Sequence, residues 1–323
     1  MTGYTAPPKR KRRVGRTIGI IVLVLVLLIV GMLVYVDSSL KRTDALPDYS
    51  GRPPAGAGAN WLLVGSDSRD GLTDAQKEQL ATGDAAGART DTIMLLHIPS
   101  SGKPTLVSLL RDSYVSIPGN GRNKLNAAFA FGGAPLLEQT VEGATGLHID
   151  HYMEIGFGGF ANVVDAIGGV TMCIDKPMVD PKAGLNLQAG CQDLDGAQAL
   201  GYVRTRATPA ADLDRVVHQR QFLSAVVSKV TSPSVLLNPF RFVPLLSDAP
   251  AALTINNGDH LWHLASLAFA MSSKDLVTTT VPMSGTRSTN VGSVVIWDTD
   301  KAARLFDALK TDAAVPPDVL SGS

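Results

Sequence analysis

The chain has 323 residues, 45% hydrophobic and 18% charged, with 29 basic and 29 acidic side chains that sum to zero formal charge. That composition excludes a disordered chain, a collagen and a multi-pass membrane protein, and the length can bury a full core without metals or a disulfide mesh. Zero net charge argues against an anionic partner only where the charges are evenly spread, and here they are not.

The first sixteen residues hold six bases (Lys9, Arg10, Lys11, Arg12, Arg13, Arg16) and no acid, so the remainder carries a compensating −6. Thr17 to Val36 then supplies twenty residues without a charge. At ~1.5 Å per residue this run matches a hydrocarbon core of roughly 30 Å and predicts a transmembrane helix over 17–36. The positive-inside rule places the basic arm, 1–16, in the cytoplasm and everything from Asp37 outside. The rival, a cleaved signal peptide, expects a shorter apolar region followed by a small-residue cleavage site. A nucleic-acid arm is the other rival for KRKRR, but a basic cluster abutting a spanning helix is a topology signal, and no nucleic-acid partner is expected.

Residues 37–59, rich in Pro, Gly and Ser without an apolar period, predict a flexible linker, and 313–323 a flexible tail. Between them short apolar runs alternate with helical patterns. Strands are expected at Trp61–Gly65, Thr92–Ile98, Pro104–Leu110, Met153–Phe157, Val170–Ile174, Leu276–Pro282 and Val294–Trp297. Helices are expected at Ala134–Gly146, up to Gly168-Gly169, at Leu213–Val230, around Asp259–Met271 and at Asp300–Leu309. The alternation predicts one α/β domain, 60–312, an α-β-α arrangement with a central mixed sheet. Cys173 and Cys191, too few for a zinc or iron–sulfur site, make a pair 18 positions apart. In an oxidising compartment they read as a disulfide that holds an irregular segment, Asp175–Gly190, worth roughly 3 kcal/mol in the chain-entropy model. Two buried thiols are the alternative.

Arginine and aspartate stand at the ends of the apolar runs. Trp61–Gly65 leads into Ser66-Asp67-Ser68-Arg69, Arg89-Thr90-Asp91 leads into Thr92–Ile98, and Pro104–Leu110 leads into Arg111-Asp112. Strand ends of an open α/β sheet line its ligand crevice. Carboxylates beside guanidinium forks suit a divalent cation together with a phosphate. For any single pair, a surface ion pair explains the same residues. Farther on, a strand-like Tyr202–Arg206 would put Arg204 and Arg206 on one face. On the next helix Arg215 and Gln219, four apart, are neighbours, and Arg220 falls on the apolar stripe. His148-x-Asp150-His151 and His260-x-x-His263 have spacings compatible with zinc, but each lies in an apolar run that reads as core. There is no GxxxxGK[ST] loop for ATP and no GxSxG elbow for a serine hydrolase.

The stretches LLVGSDSR (62–69), ARTDTIMLLHI (88–98), SLLRDSYVSIPG (108–119), NKLNAAFAFGG (123–133), HIDHYMEIGFGGFANVVDAIGGV (148–170), LDGAQALGYVRTR (194–206) and DLDRVVHQRQ (212–221) resemble, in order, the LytR-CpsA-Psr family of membrane-anchored cell-wall glycopolymer ligases. The C-terminal block and the cysteine pair look like the actinobacterial variant. The resemblance implies a phosphotransferase that passes a glycopolymer from a polyprenyl-pyrophosphate carrier to a peptidoglycan hydroxyl and releases polyprenyl phosphate. By motif, Asp67 and Asp91 would bind Mg²⁺, and Arg69, Arg89, Arg111, Arg204, Arg206, Arg215 and Gln219 would hold the pyrophosphate. Lys124 would lie near the lipid-proximal phosphate, and Asp165 would support the fold. The chain departs from the family's D-x-x-R-x-x-R-Q by placing His218 at the second arginine, with Arg220 as its possible substitute. An insertion at 71–88 lengthens the spacing of Asp67 and Asp91. Leu125–Phe131 with Leu136 and Leu223 are expected to line an apolar slot for the polyprenyl chain. Asp91 or Asp112 is the expected base. A lipid-carrier pyrophosphatase and a non-catalytic envelope protein that binds lipid-linked intermediates are the competing readings.

Overall fold

Strands buried on both faces are built from unbroken apolar runs, and the two longest such runs sit at the centre of the sheet. The computed structural model describes residues 11–68, 73–80, 82, 90–205 and 212–320. They form two units, ending and beginning at Ser39 and Leu40. The first is one helix, α1 (Lys11–Ser39), of 29 residues. It extends past both ends of the expected 17–36, and Gly15–Ser39 is long and apolar enough to cross a membrane.

The second unit runs β1 (Lys41–Thr43), β2 (Ala59–Ser66), α2 (Asp74–Gln79), β3 (Thr90–Ile98), β4 (Thr105–Leu109), β5 (Tyr114–Ile117), β6 (Gly121–Lys124), α3 (Leu125–Thr145), β7 (His151–Ile155), α4 (Phe157–Ala166) and β8 (Val170–Ile174). It continues with β9 (Met178–Asp180), β10 (Leu185–Leu187), β11 (Gly190–Leu194), α5 (Gly196–Arg204), α6 (Asp212–Val230), α7 (Pro233–Leu236), α8 (Pro239–Ala252), β12 (Leu253–Asn256), α9 (Leu261–Met271), β13 (Val277–Thr280), β14 (Met283–Thr289), β15 (Gly292–Trp297) and α10 (Thr299–Lys310). Seven strands form the central mixed sheet in the order β1-β12-β7-β2-β3-β4-β13. β2 is antiparallel to β3 and parallel to β7, and β3 is antiparallel to β4.

Side-chain alternation divides the sheet into two faces. Leu62, Val64, Ile93, Leu95 and Val107 pack under α3 and α10. Trp61, Leu63, Met94, Leu96 and Leu106 pack against α9, with Leu223 and Val227 of α6. A third cluster joins α4, α5 and β8 to β11 with Phe222. Close backbone approach there requires Gly196, whose Cβ would lie 2.4 Å from the Ala161 carbonyl oxygen. β8 and β11 pair with Cys173 opposite Cys191, and the two are disulfide-bonded.

Four expectations are corrected. Tyr202–Arg204 closes α5 instead of forming a strand: Asp195 and Gln198 make a capping box that starts the helix, and it continues to the Thr205 cap. Asp175–Gly190 is not irregular, since β9 and β10 pair across it and bury Leu185 and Leu187. The stretch 37–59 is not a free linker. Its β1 adds a parallel edge strand to β12. Arg52 pairs with Glu138 at 3.0 Å and Glu142 at 3.2 Å, and the Tyr49 hydroxyl donates to Glu142 at 2.6 Å. The tail is likewise held, with Val319 buried and Asp318 paired to Arg304.

The Arg52 cluster has a measurable consequence. Burial, followed by the charge of Glu142, pushes the Glu138 carboxyl from 4.5 up to about 8. Between those values the unfolded chain ionises here and the folded chain does not, so this position loses stability as pH rises through the window. Urea denaturation of the second unit within the detergent-solubilised full chain is expected to show that loss between about pH 5 and 7.5, and Glu138→Gln is expected to flatten it.

Candidate active site

Three strand ends converge at one edge of the sheet. β2 ends at Ser66 and delivers Asp67 one residue later. On β3, Gly65 pairs with Thr92 and Ser66 with Thr90, so Asp91 is the extra residue of a bulge. A bulge re-aims its side chain away from the regular alternation, and this one turns Asp91 towards the ends of β2 and β4. β4 ends at Leu109, two residues before Arg111. The loop that follows is tied down where Asn126 N–H donates to the Arg111 carbonyl at 3.0 Å.

These groups form a network of charges. Arg111 Nη1 is ion-paired with Asp91, and its Nε lies 3.3 Å from Asp112 Oδ2. Lys124 Nζ, at the start of α3, lies 2.8 Å from Asp112 Oδ1. Arg111 thus bridges two carboxylates, and Asp112 is shared by two cations. From α6, Arg215 and Gln219 lie one turn apart on one face. Both are buried, at 3% and 8% exposure, and Gln219 Nε2 donates to the Val203 carbonyl at 3.3 Å.

Two cavities open on this network. One of about 470 Å³ is lined by Asp91, Arg111, Asp112, Lys124, Arg215 and Gln219 together with apolar and hydroxyl side chains. The other, about 530 Å³, is lined by Asp67, Asp91, Arg111, Asp112 and Lys124 with Asn126, Ala127 and Ala130. The first is roofed by the β14–β15 hairpin, which contributes Met283, Thr286 and Ser293. That hairpin is anchored where Val295 N–H donates to the Asp112 carbonyl at 2.8 Å and Trp297 Nε1 donates to Ser113 Oγ at 2.8 Å.

The structure therefore gathers Asp67, Asp91, Arg111, Asp112, Lys124, Arg215 and Gln219, with Asp112 shared by Arg111 and Lys124. Arg204 stands apart from the cavity linings: its guanidinium lies over the Phe157 ring at 4.8 Å and its Nη1 donates to the Leu80 carbonyl at 3.1 Å. Arg220 is also absent from both linings, and burial lowers its pKa. The His218 ring packs 4.7 Å from that of Tyr202. Arg69, Arg89 and Arg206 lie outside the described residues, as does half of 71–88. Asp165 accepts from the Gly196 amide at 2.8 Å, which fastens α4 to the start of α5.

The expected apolar slot is not one surface. Leu136 packs on the α3 side of the sheet and Leu223 on the α9 side, while Leu125 is core and Phe131 is exposed. Ile93, Leu109 and Leu110 of the α3-side layer and Met94 of the α9-side layer all line the 470 Å³ cavity, so both layers reach it. Sequence reading missed Thr286, Met283 and Ser293. Only the Ser/Thr alternation of 283–293 around a turn signals a two-faced hairpin there.

The donor set accommodates a hard divalent cation: Asp67, Asp91 and Asp112 offer carboxylate oxygens to one open cavity, beside cations that suit phosphate.

The chain is similar to known proteins in sequence and in fold. The model described as the LytR_cpsA_psr family matches residues 38–311. The chain is 56% identical over 297 residues to a probable cell wall biosynthesis protein LcpB of Corynebacterium glutamicum, covering 92% of this chain and 71% of that protein. It is 37% identical over 190 residues to the polyisoprenyl-teichoic acid–peptidoglycan teichoic acid transferase TagU of Enterococcus faecalis, covering 58% of each. The solved structure of TagT bound to LI-WTA superposes with a TM-score of 0.60 at 26% identity, over 78% of this chain and 89% of that one.

Proposed function

The chain belongs to the LytR_cpsA_psr family, and from that membership we propose that it is a cell-wall glycopolymer transferase acting on a polyprenyl-pyrophosphate donor and a peptidoglycan hydroxyl. The observation that carries the reading is the 470 Å³ cavity, where Arg111, Lys124 and Arg215 meet Asp91 and Asp112 on an apolar floor. Phosphoryl transfer asks for positioning and for neutralisation of charge on phosphate oxygens. Guanidinium forks and an ammonium supply both, and an already activated pyrophosphate needs no nucleotide.

In the reaction, the acceptor hydroxyl oxygen bonds to the phosphorus next to the glycan. The bridging P–O bond breaks, and its electron pair leaves on polyprenyl phosphate. The acceptor proton goes to a carboxylate or to water. Arg111 exchanges its contact with Asp91 for phosphate oxygens, while Arg215 and Gln219 hold the other side of the pyrophosphate. Asp67 and Asp91 would hold Mg²⁺, whose contribution is to neutralise phosphate charge. The apolar side chains of the cavity, Ile93, Met94, Leu109 and Leu110, receive the first isoprene units. α1 anchors the chain, with the basic arm cytoplasmic and residues 40–320 outside, a placement supported by the Cys173–Cys191 disulfide.

A substitution of nearly equal size tests the cavity. Gln219→Glu sets a carboxylate facing the pyrophosphate in a site shielded from water, and is expected to raise the donor KM by at least tenfold, of the order of 1.4 kcal/mol. The readout is polyprenyl phosphate formed by detergent-solubilised full chain, with circular dichroism as the check on folding. An unchanged KM removes Gln219 and the adjoining Arg215 from the donor site.

A further inference from the structure

The histidines left aside by this function converge elsewhere. His151 opens β7, Asp259 follows β12, and His263 lies in the first turn of α9. Sequence distance and two different elements separate them, yet one ligand atom from each lies within 4.8 Å of the others. Asp259 Oδ1 is 2.5 Å from His151 Nδ1 and 3.4 Å from His263 Nδ1. The Asp259 carboxylate is almost fully buried, at 2% side-chain exposure, while the two imidazoles remain partly open at 20% and 30%.

The surrounding groups hold these side chains in place. The second oxygen of Asp259 accepts from the Tyr152 amide at 3.1 Å, which leaves Oδ1 directed at the histidines. The His151 ring stacks on Trp61 at 4.5 Å, and its centroid lies 4.6 Å from that of His263. The cluster sits at the opposite end of the sheet from the carboxylates of the cavities. Trp61 pairs with His151 at the start of β2, and Ser66, five residues on and roughly 17 Å away, precedes Asp67.

We propose that His151, Asp259 and His263 form a second metal site, distinct from the transferase centre, that takes a Zn²⁺-like transition cation. Two imidazole nitrogens, which are borderline ligands, beside a single carboxylate oxygen favour zinc over Mg²⁺. A tetrahedral ion with ~2.0–2.1 Å bonds spaces its ligands about 3.3 Å apart, within the spread already present. Binding clips β7 to the β12–α9 junction and the first turn of α9, whose Leu267, Ala270 and Met271 belong to the apolar layer on that face of the sheet. It also changes the hydrogen bonding of His263. Its Nδ1 accepts from the His260 amide at 3.1 Å, and its Nε2 lies 3.1 Å from the Trp262 indole nitrogen. Ligation through Nδ1 displaces the His260 amide and leaves the proton on Nε2, so Trp262, which is 62% exposed, must turn away.

The test uses chelator-treated, detergent-solubilised full chain carrying no histidine tag, titrated with Co²⁺ and then Zn²⁺. The expected result is one equivalent of Co²⁺ with the visible bands of a four-coordinate ion, displaced by Zn²⁺, and a change in tryptophan fluorescence that Trp262→Phe removes. His263→Ala and His151→Gln are expected to weaken binding by at least the ~100-fold that loss of a supporting group costs. Asp91→Asn is expected to leave it intact, which separates this site from the carboxylates of the active centre. His263→Ala is expected to keep transferase activity and the wild-type circular dichroism. Absence of the four-coordinate bands in wild-type protein, or their survival in both histidine variants, overturns the proposal. Loss of the bands in Asp91→Asn does so as well, because it assigns the ion to the other site.

Discussion

Replacing Arg111 with alanine is expected to lower the rate of transfer by roughly 10³-fold at saturating donor, about 4 kcal/mol of transition-state stabilisation. Arg111 bridges two of the carboxylates that line both cavities, Asp91 and Asp112. It is 16% exposed, so its charge acts through little water. Without it, Asp112 keeps its pair with Lys124, and the Asp91 carboxylate loses a neighbouring cation beside the transferred phosphate. Both changes raise the cost of further negative charge there. Arg111→Lys restores the charge without the bidentate fork and is expected to fall between the two. Quantifying polyprenyl phosphate by mass spectrometry across donor concentrations separates a kcat loss from a KM loss. A defect confined to KM would make Arg111 a binding residue only.

The second large effect concerns Asp91. Removing divalent ions with a chelator is expected to stop transfer, and Mg²⁺ to restore it. Asp91→Asn keeps the side-chain shape but replaces a hard anionic oxygen with an amide. The Mg²⁺ concentration for half-maximal activity is expected to rise by about 100-fold. Asp67→Asn is expected to act in the same direction. Asp112→Asn, already balanced by Arg111 and Lys124, is expected to shift it less. A wild-type rate indifferent to the chelator would remove the metal and leave the cations to neutralise the phosphates alone.

Much of this site was legible because strand ends are legible. The unbroken apolar runs of β2, β3 and β4 mark central strands, and their ends fall where Asp67, Asp91 and Arg111 stand. Helical spacing makes Arg215 and Gln219 neighbours, and the family resemblance assigns them to the phosphate. What could not be read was backbone detail set by pairing between distant segments. The bulge that singles out Asp91 exists only in the register of β3 against β2. Asp112 became central because the hairpin and α3, far apart in sequence, converge on its loop. Tyr202–Arg204 was misread through its alternation of side chains, where the capping box at Asp195 decides for a helix. The linker was misread through composition: Pro and Gly dominate it, yet one arginine on two buried glutamates docks it.

In the proposed reaction the pyrophosphate is attacked by a sugar hydroxyl and not by water. Purified full chain with Mg²⁺, a polyprenyl-pyrophosphate-linked glycan and peptidoglycan fragments tests it directly, by counting polyprenyl phosphate released against glycan covalently bound through phosphate to the acceptor. Equal amounts of the two, with release that depends on the acceptor, are predicted. Release that proceeds equally without acceptor, with free phosphorylated glycan as the product, would contradict it.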